Sequence, residues 1–560
     1  MGLIQTERKK LKSAYDYLIE ARQIAQERNI GELLWRIDLA IARLAEIDGR
    51  EDDAVEAAKQ AMDKVELMRA AIAAEALKSG FMEDKQEIYS LAASLLLKQG
   101  KIYEAMDIVE RARSRSFLDL LQSGRISLTA GLDPETKKHE HELSTALSKL
   151  RTETGWLTAK GTERTPEQDA QLERNFTQID SLEIVYGRLL EEIESRHPGY
   201  RSLVSVDPEP TEGIQGRLDN GEALLEYYPL ENALAVFVMT RDGLDVAIVS
   251  IDEDSLKALV SGLRYRLERK LSVQTEGRKL YKTLIKPVEK NIGGSQHLIV
   301  VPAGPLHYLP FALLQDGEGN YLIDRFSLSF APSASVFAFC RNRAHQRVSQ
   351  TKQTILAFGN PETDLPQESL FFSEKEVNAI AYTYPKTEVF IRDQAKESTL
   401  IRKSKEASAL HLACHGVFDS ANPIFSGLFL SPGGNQDGRL QMFEVFDLNL
   451  DHCDLVTLSA CESGLGGISG GEEIVGLNRA FIYAGSPRVI STLWKVDDLA
   501  TAVLTKHFYR NLQSGMNYAR ALQKAQQHLK ERIHSHPAYW AAFQLNGEPG
   551  GYFEAFRAEN

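Results

Sequence analysis

The chain has 560 residues, of which 43% are hydrophobic and 26% charged, and its formal net charge is −13. A chain of this length exceeds what one hydrophobic core can hold, so we expect roughly three or four folding units. The acidic balance argues against general nucleic-acid binding, which needs a basic face. The N-terminus lacks a signal-peptide apolar region and no window reaches 18 uncharged apolar residues, which predicts a cytoplasmic protein without a membrane segment.

The four cysteines are too few for a disulfide scaffold, and no two of them form a Cys-x-x-Cys pair. We therefore expect reduced thiols, no metal site and no cofactor. Each cysteine is a candidate either for thiol chemistry or for core packing. They are Cys340, Cys414, Cys453 and Cys461.

Residues 1–125 contain almost no proline and repeat their apolar residues at helical spacing, which predicts an all-α region. Gly49 and Gly100 each follow a predicted helix, at the position where glycine commonly ends one. Small residues seven apart lie on one helix face and permit close packing of a second helix. Three such pairs recur, namely Ala14 with Ala21, Ala54 with Ala61, and Ala105 with Ala112.

This pattern of helix, glycine turn and small-residue helix resembles tetratricopeptide repeats. The spacings of 40 and 51 residues between the alanine pairs exceed the usual 34. An insertion at residues 70–84 would account for the longer spacing. An ordinary helical bundle is the alternative, whereas repeats would offer a concave surface to a protein partner.

Within the segment 126–199, residues 134–196 are strongly charged and favour helix, with a break at residues 161–166. Pro134 and Pro166 stand where helices would begin, and His197-Pro198-Gly199 ends the second arm. We predict a long antiparallel helical hairpin that either spaces the flanking domains or contacts a partner.

Residues 200–560 predict an α/β domain with a mostly parallel sheet covered on both faces, because short apolar strands alternate with helices. Residues 200–295 hold an antiparallel meander and two helices, and residues 296–560 form the core. The strands predicted for the core are His297–Val301, Ile355–Gly359, Glu388–Ile391, Ala409–Ala413, Gly427–Leu430, Asp454–Ala460 and Arg488–Leu493. Its predicted helices are Ser373–Tyr382, Ser398–Lys405, Glu473–Ala484, Leu499–Gln513 and Tyr518–Arg532.

Two stretches of the core end an apolar run at a reactive side chain near glycine. One is His411-Leu-Ala-Cys-His415-Gly416, and the other is Leu458-Ser-Ala-Cys461-Glu-Ser-Gly464. Reactive groups of α/β sheets collect where strands end, beside a topological switch point. A histidine and a cysteine at neighbouring strand ends suit thiol chemistry, with Cys461 as the nucleophile and His415 as the base.

The neighbouring residues leave two other kinds of site to weigh. His411 lies four residues before His415 in the same predicted strand, so we expect a core histidine that faces the same side but deeper. Zinc binding by these two histidines would need a helix and a HExxH glutamate, and neither is present. The run Gly464–Gly471 lacks the Gly-Lys-Ser/Thr of a phosphate loop, so we expect a mobile flap beside the nucleophile.

Residues 200–555 resemble the CHAT domain, because six motifs of that family occur here in the family's order. CHAT domains often follow tetratricopeptide repeats in bacterial proteins. CHAT domains are caspase- and separase-like cysteine peptidases, so the resemblance implies a caspase-like fold and peptide-bond hydrolysis through a thioester. The motifs are Val301–Phe311, His411–Gly416, Leu458–Gly464, Arg479–Gly485, Ser491–Asp498 and Tyr539–Gly547.

The resemblance also implies roles for single residues. It places the catalytic dyad on His415 and Cys461, and the oxyanion hole on the backbone N–H groups of Gly416 and Cys461. This class of peptidase does not require a third side chain to orient the histidine, and Asp419 is the candidate for one if it exists.

Specificity is open between two interpretations. In separase-like relatives an acidic residue after the tryptophan receives a basic P1 side chain, which points to Asp497 or Asp498 after Trp494, with Glu462 nearby in sequence. Such a carboxylate disfavours cleavage after aspartate. Alternatively, Asp497 only caps the helix that starts there. The strand at 488–493 and the segment after it are expected to pair with the substrate backbone.

The leading hypothesis is a partner-regulated cysteine endopeptidase that cuts a specific protein. The repeats and hairpin would bind an activator or effector complex. The resemblance suggests bacterial defence or cell death, where such proteases are switched on by a CRISPR effector or cut a gasdermin. The alternatives are a non-catalytic scaffold built on the repeats, and acyl transfer through the same dyad.

Overall fold

The computed structural model describes most of the N-terminal helical region and nearly all of the α/β domain. The backbone alone is described at residues 461 and 462. The described ranges are 11–28, 31–70, 85–123, 165–175, 209–346, 354–363, 370–417, 426–459, 461–462, 472–494 and 496–551, with isolated positions between 143 and 185.

The N-terminal region is helical, as predicted. Consecutive helices pack against each other throughout its described part. Gly49 and Gly100 have φ angles of +76° and +72°, so both glycine turns are confirmed. Ala54, Ala61 and Ala105 are fully buried where neighbouring helices meet. The helices are α1 (Leu11–Glu27), α2 (Gly31–Ile47), α3 (Glu51–Ala70), α4 (Gln86–Lys98) and α5 (Ile102–Ser123).

Most of the predicted hairpin, and the insertion expected after residue 70, lie outside the described residues. Residues 166–175 are helical and begin at Pro166, as expected for a helix start. Thr165 Oγ1 accepts a hydrogen bond from the Gln168 backbone N–H, and Gln168 Oε1 accepts one from the Thr165 N–H. This reciprocal capping box explains why the helix begins there.

A sheet of eleven strands forms the described framework of the C-terminal domain. The predicted meander is confirmed, and it continues the same sheet because β1 pairs in parallel with β4. The strands are β1 (Glu222–Leu230), β2 (Ala233–Thr240), β3 (Gly243–Val249), β4 (His297–Val301), β5 (Ser327–Phe330), β6 (Ile355–Pro361), β7 (Thr387–Arg392), β8 (Ala409–Ala413), β12 (Leu455–Leu458), β14 (Arg488–Thr492) and β15 (Phe543–Gly547).

The order of strands is β3-β2-β1-β4-β5-β15-β14-β12-β8-β6-β7. Apart from the meander it consists of two parallel blocks, which meet in antiparallel fashion between β14 and β15. From β6 the chain first adds β7 on one side and then β8 on the other. The topological switch point therefore lies between β6 and β8, beside the strand that leads to His415.

A second sheet of four short strands lies at the carboxyl ends of β8 and β12. Its order is β11-β10-β9-β13, with β9 and β13 parallel and the other pairs antiparallel. Gly427 of β10 is required here, because a Cβ atom would lie 2.5 Å from the Leu440 carbonyl oxygen. The strands are β9 (His415–Val417), β10 (Gly427–Phe429), β11 (Arg439–Gln441) and β13 (Cys461–Glu462).

Helices cover both faces of the large sheet, and two extensive apolar cores lie between the layers. The mostly parallel, doubly covered α/β architecture is therefore confirmed. The helices of this domain are α6 (Thr211–Gln215), α7 (Glu253–Glu268), α8 (Gln274–Leu284), α9 (Leu322–Arg325), α10 (Ala334–His345), α11 (Phe371–Thr383), α12 (Glu397–Lys403), α13 (Met442–Phe446), α14 (Glu472–Ala484), α15 (Asp498–Gln513) and α16 (Tyr518–Arg532).

Helix α5 joins the N-terminal helical region to the sheet domain through two acidic side chains, the buried Glu110 and the partly exposed Asp107. The Glu110 carboxylate accepts hydrogen bonds from the backbone N–H groups of Ala334 (3.0 Å) and Ser335 (2.6 Å), at the N-terminus of α10. Asp107 accepts from the backbone N–H and the hydroxyl of Thr211 at 3.0 and 2.5 Å. Because a carboxylate at a helix N-terminus complements its orphan N–H groups and its dipole, these contacts fix α5 on the domain.

Candidate active site

His415 follows the buried strand β8 but does not belong to it. Strand β8 ends at Ala413, Cys414 is buried, and His415 begins β9 of the small sheet. The expectation that one strand carries both His411 and His415 is therefore wrong, because the chain leaves the large sheet after Ala413. His411 is fully buried in the core, whereas His415 is partly exposed.

Cys461 reaches the small sheet from the neighbouring strand β12. Strand β12 pairs in parallel with β8, and the Ser459 N–H donates to the Leu412 carbonyl at 2.9 Å, which extends the pairing beyond Leu458. Two residues later Cys461 begins β13. The adjacent strands β8 and β12 of the large sheet therefore lead into β9 and β13, which are adjacent in the small sheet.

The backbone register places the two candidate catalytic residues side by side. In the parallel pair of β13 and β9, Cys461 is the partner of His415 and Glu462 the partner of Gly416. Neighbouring strands lie about 4.8 Å apart. The structure therefore brings together the backbone positions that the sequence predicted as nucleophile and base.

Gly416 lies in the middle of β9, between Glu462 of β13 and Leu428 of β10. Its assignment as an oxyanion donor stays a prediction. Asp419 and the whole predicted flap, Gly464–Gly471, lie outside the described residues.

The acidic residues after Trp494 lie at the start of α15. Asp497 is exposed and caps this helix, since its carboxylate accepts from the Ala500 N–H at 3.1 Å. This contact is the one expected from the capping interpretation. Asp498 is partly exposed in the first helical turn. Their proposed role in P1 recognition stays a prediction.

Trp494 itself lies in the core, 6% exposed. Its indole N–H donates to the Ala538 carbonyl at 2.9 Å, and the Arg264 guanidinium lies 5.0 Å from its ring centroid. In this conformation the indole holds the segment after β14 against the core.

The expectation that the strand at 488–493 pairs with a substrate backbone is wrong for this conformation. Strand β14 is an inner strand, paired with β12 on one side and β15 on the other. The N–H of Leu493 also donates to the Ala542 carbonyl. An incoming strand needs an unpaired edge, and both edges of β14 are in use.

Two carboxylates hold the small sheet from behind, that of the fully buried Glu397 and that of the partly buried Glu444. Glu397 Oε2 accepts from the Gly438 N–H and Glu444 Oε2 from the Gln441 N–H, each at 2.9 Å, so they hold the two ends of β11. Burial and nearby Asp437 raise the pKa of Glu397 to about 7. Burial and nearby Glu397 raise the pKa of Glu444 to about 9.

His307, in the first of the six motifs, lies between the repeats and the helix that follows the predicted flap. Burial lowers the pKa of His307 to about 3, with Arg113 of α5 and Arg479 of α14 lowering it further. The imidazole is therefore neutral. Helices α5 and α14 are in direct contact.

The sequence interpretation missed Glu376, which contacts the buried His411. A pattern in α11 could have found it, because the buried positions Ser373, Glu376, Val377 and Ile380 follow the spacing of an apolar stripe. A glutamate inside such a stripe is buried among apolar residues and needs partners there.

Among the described residues, no group of three or more histidine, cysteine or acidic side chains is arranged to hold a metal ion. None of the described helices is both long enough and apolar enough to cross a membrane.

A helical region precedes a mostly parallel α/β domain, and a histidine and a cysteine are direct partners in its small sheet. Residues 274–548 match the family model of the CHAT domain. The chain therefore carries a CHAT domain behind its helical region.

Curated relatives are repeat proteins of much greater length. Tetratricopeptide repeat protein 28 of mouse is 25% identical over 326 residues, and the human protein is 25% identical over 322 residues. Each match covers 48% of this chain and 13% of the relative. The chain thus spans only a small part of these proteins.

Two solved structures are partly similar to this chain. The separase–securin complex of Saccharomyces cerevisiae has a TM-score of 0.44 at 12% identity, covering 96% of this chain and 48% of that one. The Arg-specific cysteine proteinase gingipain R has a TM-score of 0.34 at 11% identity, covering 53% of this chain and 75% of that one.

Proposed function

We propose that the protein is a cysteine endopeptidase in which Cys461 is the nucleophile and His415 the general base. The observation that carries this proposal is the parallel register of β13 and β9, which makes these two residues direct partners. A backbone separation of about 5 Å lets a cysteine and a histidine side chain approach each other. The identified CHAT domain supports the same chemistry.

The reaction would proceed in two balanced steps. His415 takes the thiol proton, the Cys461 sulfur attacks the peptide carbonyl, and the C–N bond breaks as the imidazolium returns the proton to the leaving amine. A water then attacks the thioester, with its proton passing to His415, and the carboxylic acid and the thiol are released. Partial exposure of His415 suits this exchange of protons with substrate and water.

We also propose that a partner regulates the activity through the repeats. Helix α5 is anchored on the sheet domain by Glu110 and Asp107, and it touches α14, the first described helix after Cys461. A partner that shifts α5 would therefore act on the segment that follows the nucleophile. A defence or cell-death setting and a preference for basic P1 residues stay predictions.

An activity assay with thiol-directed probes tests the peptidase proposal. The protein is incubated with peptides that differ only in the P1 residue and with a peptidyl acyloxymethyl ketone probe. Cleavage and labelling are expected to disappear in Cys461→Ala and in His415→Ala. Cys453→Ala is the matched control, because its thiol is buried and donates to the Leu455 carbonyl.

Each alternative has its own outcome in this assay. Labelling that survives Cys461→Ala, or that the wild-type protein never shows, would contradict the proposal and favour a scaffold. Transfer of the acyl group to an added amine in place of water would identify the protein as an acyltransferase.

A further inference from the structure

A buried glutamate lies behind the strand ends that lead to the candidate dyad. Glu376 of α11 is 3% exposed. Its Oε1 accepts a hydrogen bond from the Thr505 hydroxyl at 2.8 Å and lies 3.1 Å from His411 Nε2. Its Oε2 accepts from the Ser459 hydroxyl at 3.1 Å. One carboxylate therefore contacts β8, the end of β12 and α15.

Each of these three elements leads to a part of the candidate site. Strand β8 ends two residues before His415, and Ser459 lies two residues before Cys461. Helix α15 begins with the acidic pair that the sequence analysis linked to P1 recognition. The contacts of Glu376 thus converge on the segments that must hold the dyad in register.

We propose that Glu376 is a positioning residue for the dyad, and that its carboxylate holds the ends of β8 and β12 together so that His415 and Cys461 stay aligned. The inference rests on the proposed peptidase function. Glu376 acts through His411 and Ser459 and not by touching the reacting atoms.

A chain of buried polar contacts extends the Glu376 cluster. His411 Nδ1 and the Tyr509 hydroxyl are hydrogen-bonded at 3.3 Å. The Tyr509 hydroxyl also shares a hydrogen bond of 3.3 Å with Thr457 Oγ1. These contacts tie β8, β12 and α15 into one buried polar network.

The composition of this network favours a functional role over a purely structural one. Among the described contacts of Glu376 there is no lysine or arginine, so hydroxyl groups and an imidazole stabilise the carboxylate. Burial of a carboxylate in an apolar layer costs free energy. Well-packed apolar side chains often hold neighbouring strands together at least as well as a buried polar network does. A fold that needed only stability would gain from an apolar residue here.

Alkylation of Cys461 by iodoacetamide, followed by mass spectrometry across a pH series, tests the proposal without a substrate. The thiolate is the reacting form, and a well-placed histidine lowers the pKa of a cysteine. Glu376→Leu removes all three contacts while keeping the side-chain size. We expect its alkylation rate at pH 6.5 to fall about tenfold, which corresponds to a rise of about one unit in the apparent pKa of Cys461.

Two further variants make the result specific. Glu376→Gln keeps an acceptor oxygen but cannot carry a charge. We expect a smaller fall in the Cys461 alkylation rate, about threefold. Glu548→Gln also alters a 2% exposed glutamate, but at the opposite end of the strands. We expect it to lower the melting temperature and to leave the pH profile of alkylation unchanged.

The outcomes separate this inference from the proposed function. A folded Glu376→Leu protein with the wild-type profile would overturn the positioning role, as would an equal shift in Glu548→Gln. If Glu376→Leu does not fold, the glutamine variant decides, and a wild-type profile there overturns the role. A wild-type Cys461 that titrates as an ordinary thiol and ignores His415→Ala would instead overturn the dyad itself.

Discussion

Two buried charged clusters lie at opposite ends of the same central strands, and they are built from different chemistry. At the amino end, the Arg488 guanidinium pairs with Asp454 at 2.6 Å and with Glu548, and Arg341 pairs with Glu222 at 2.6 Å and with Glu548 at 3.3 Å. At the carboxyl end, Glu376 contacts an imidazole and two hydroxyl groups.

The contrast separates a cluster that stabilises the fold from one that serves a site. Guanidinium groups match carboxylates in charge and shape, so the arginine cluster closes the strand ends firmly. The Glu376 cluster has weaker partners, and it lies where the chain crosses to the small sheet with His415 and Cys461. We therefore expect changes at the amino end to alter stability, and changes at the carboxyl end to alter the chemistry of Cys461.

The largest loss of stability is expected from Arg488→Met. It leaves the partly buried Asp454 without its cation and the buried Glu548 with Arg341 alone, and breaking such a buried network costs about 3–5 kcal/mol in the free energy of unfolding. Denaturant-induced unfolding measures this loss. Arg343→Met is the matched control, because its pair with the exposed Asp451 contributes at most about 1 kcal/mol. Equal losses in the two variants would show that the arginine cluster does not stabilise the fold.

Gly485→Ala, in the turn before β14, is expected to cost about 2–3 kcal/mol through backbone strain. Gly485 has a φ of +134°, and a Cβ atom would lie 2.5 Å from the Leu450 carbonyl carbon. Gly515→Ala is the control, since Gly515 also has a positive φ of +85° but open space around its Cβ position. The melting temperature of Gly485→Ala should be lower than that of Gly515→Ala. The reverse order would contradict close packing at this turn.

A smaller effect is expected at the carboxyl end from Asp497→Ala. Loss of the helix cap costs about 1 kcal/mol, whatever the role of Asp497 in recognition. Asp497→Asn keeps an acceptor oxygen for the Ala500 N–H and removes the charge, so it should restore stability. If basic-P1 peptides are cleaved as well by Asp497→Asn and by Asp498→Asn as by wild type, neither aspartate recognises the substrate.

A separate prediction concerns the pH dependence of stability. The pKa values of Glu397 and Glu444 are raised in the folded protein, so the folded state binds more protons than the unfolded state above about pH 4.5. Their contribution to stability is present in full below that pH and is lost as the pH rises through about 7 and then 9. Glu444→Gln should flatten this decline, as measured by melting temperature from pH 5 to 9. An unchanged slope would contradict the assignment to this pair.

Much of the fold could be predicted from local sequence pattern. The strands at His297–Val301 and Ala409–Ala413 and the helix Tyr518–Arg532 have the predicted bounds, because apolar runs and helical periodicity mark them clearly. Strands β5 and β15 were missed, since Ser-Leu-Ser-Phe and Phe-Gln-Leu-Asn-Gly are short and alternate with polar residues. Their pairing in the sheet, and not their local pattern, makes them strands.

The candidate catalytic residues could be predicted from the sequence, but the pairing of the two strands that carry them could not. The motifs singled out His415 and Cys461, yet nothing local indicated that each begins a strand of a second sheet. That arrangement depends on the register of β12 against β8, which is a long-range property. Pairing on both edges of β14, and the contacts of Glu376, likewise depend on segments more than 30 residues apart along the chain.

The measurement that bears most directly on the account is the pH dependence of Cys461 alkylation in the wild-type protein and in His415→Ala. If the register of β13 and β9 forms a dyad, wild-type Cys461 reacts with an apparent pKa well below the ordinary value of about 8.5. Removal of the imidazole should return that pKa to about 8.5. Superimposable profiles for the two proteins would contradict the dyad, and with it the proposed peptidase function.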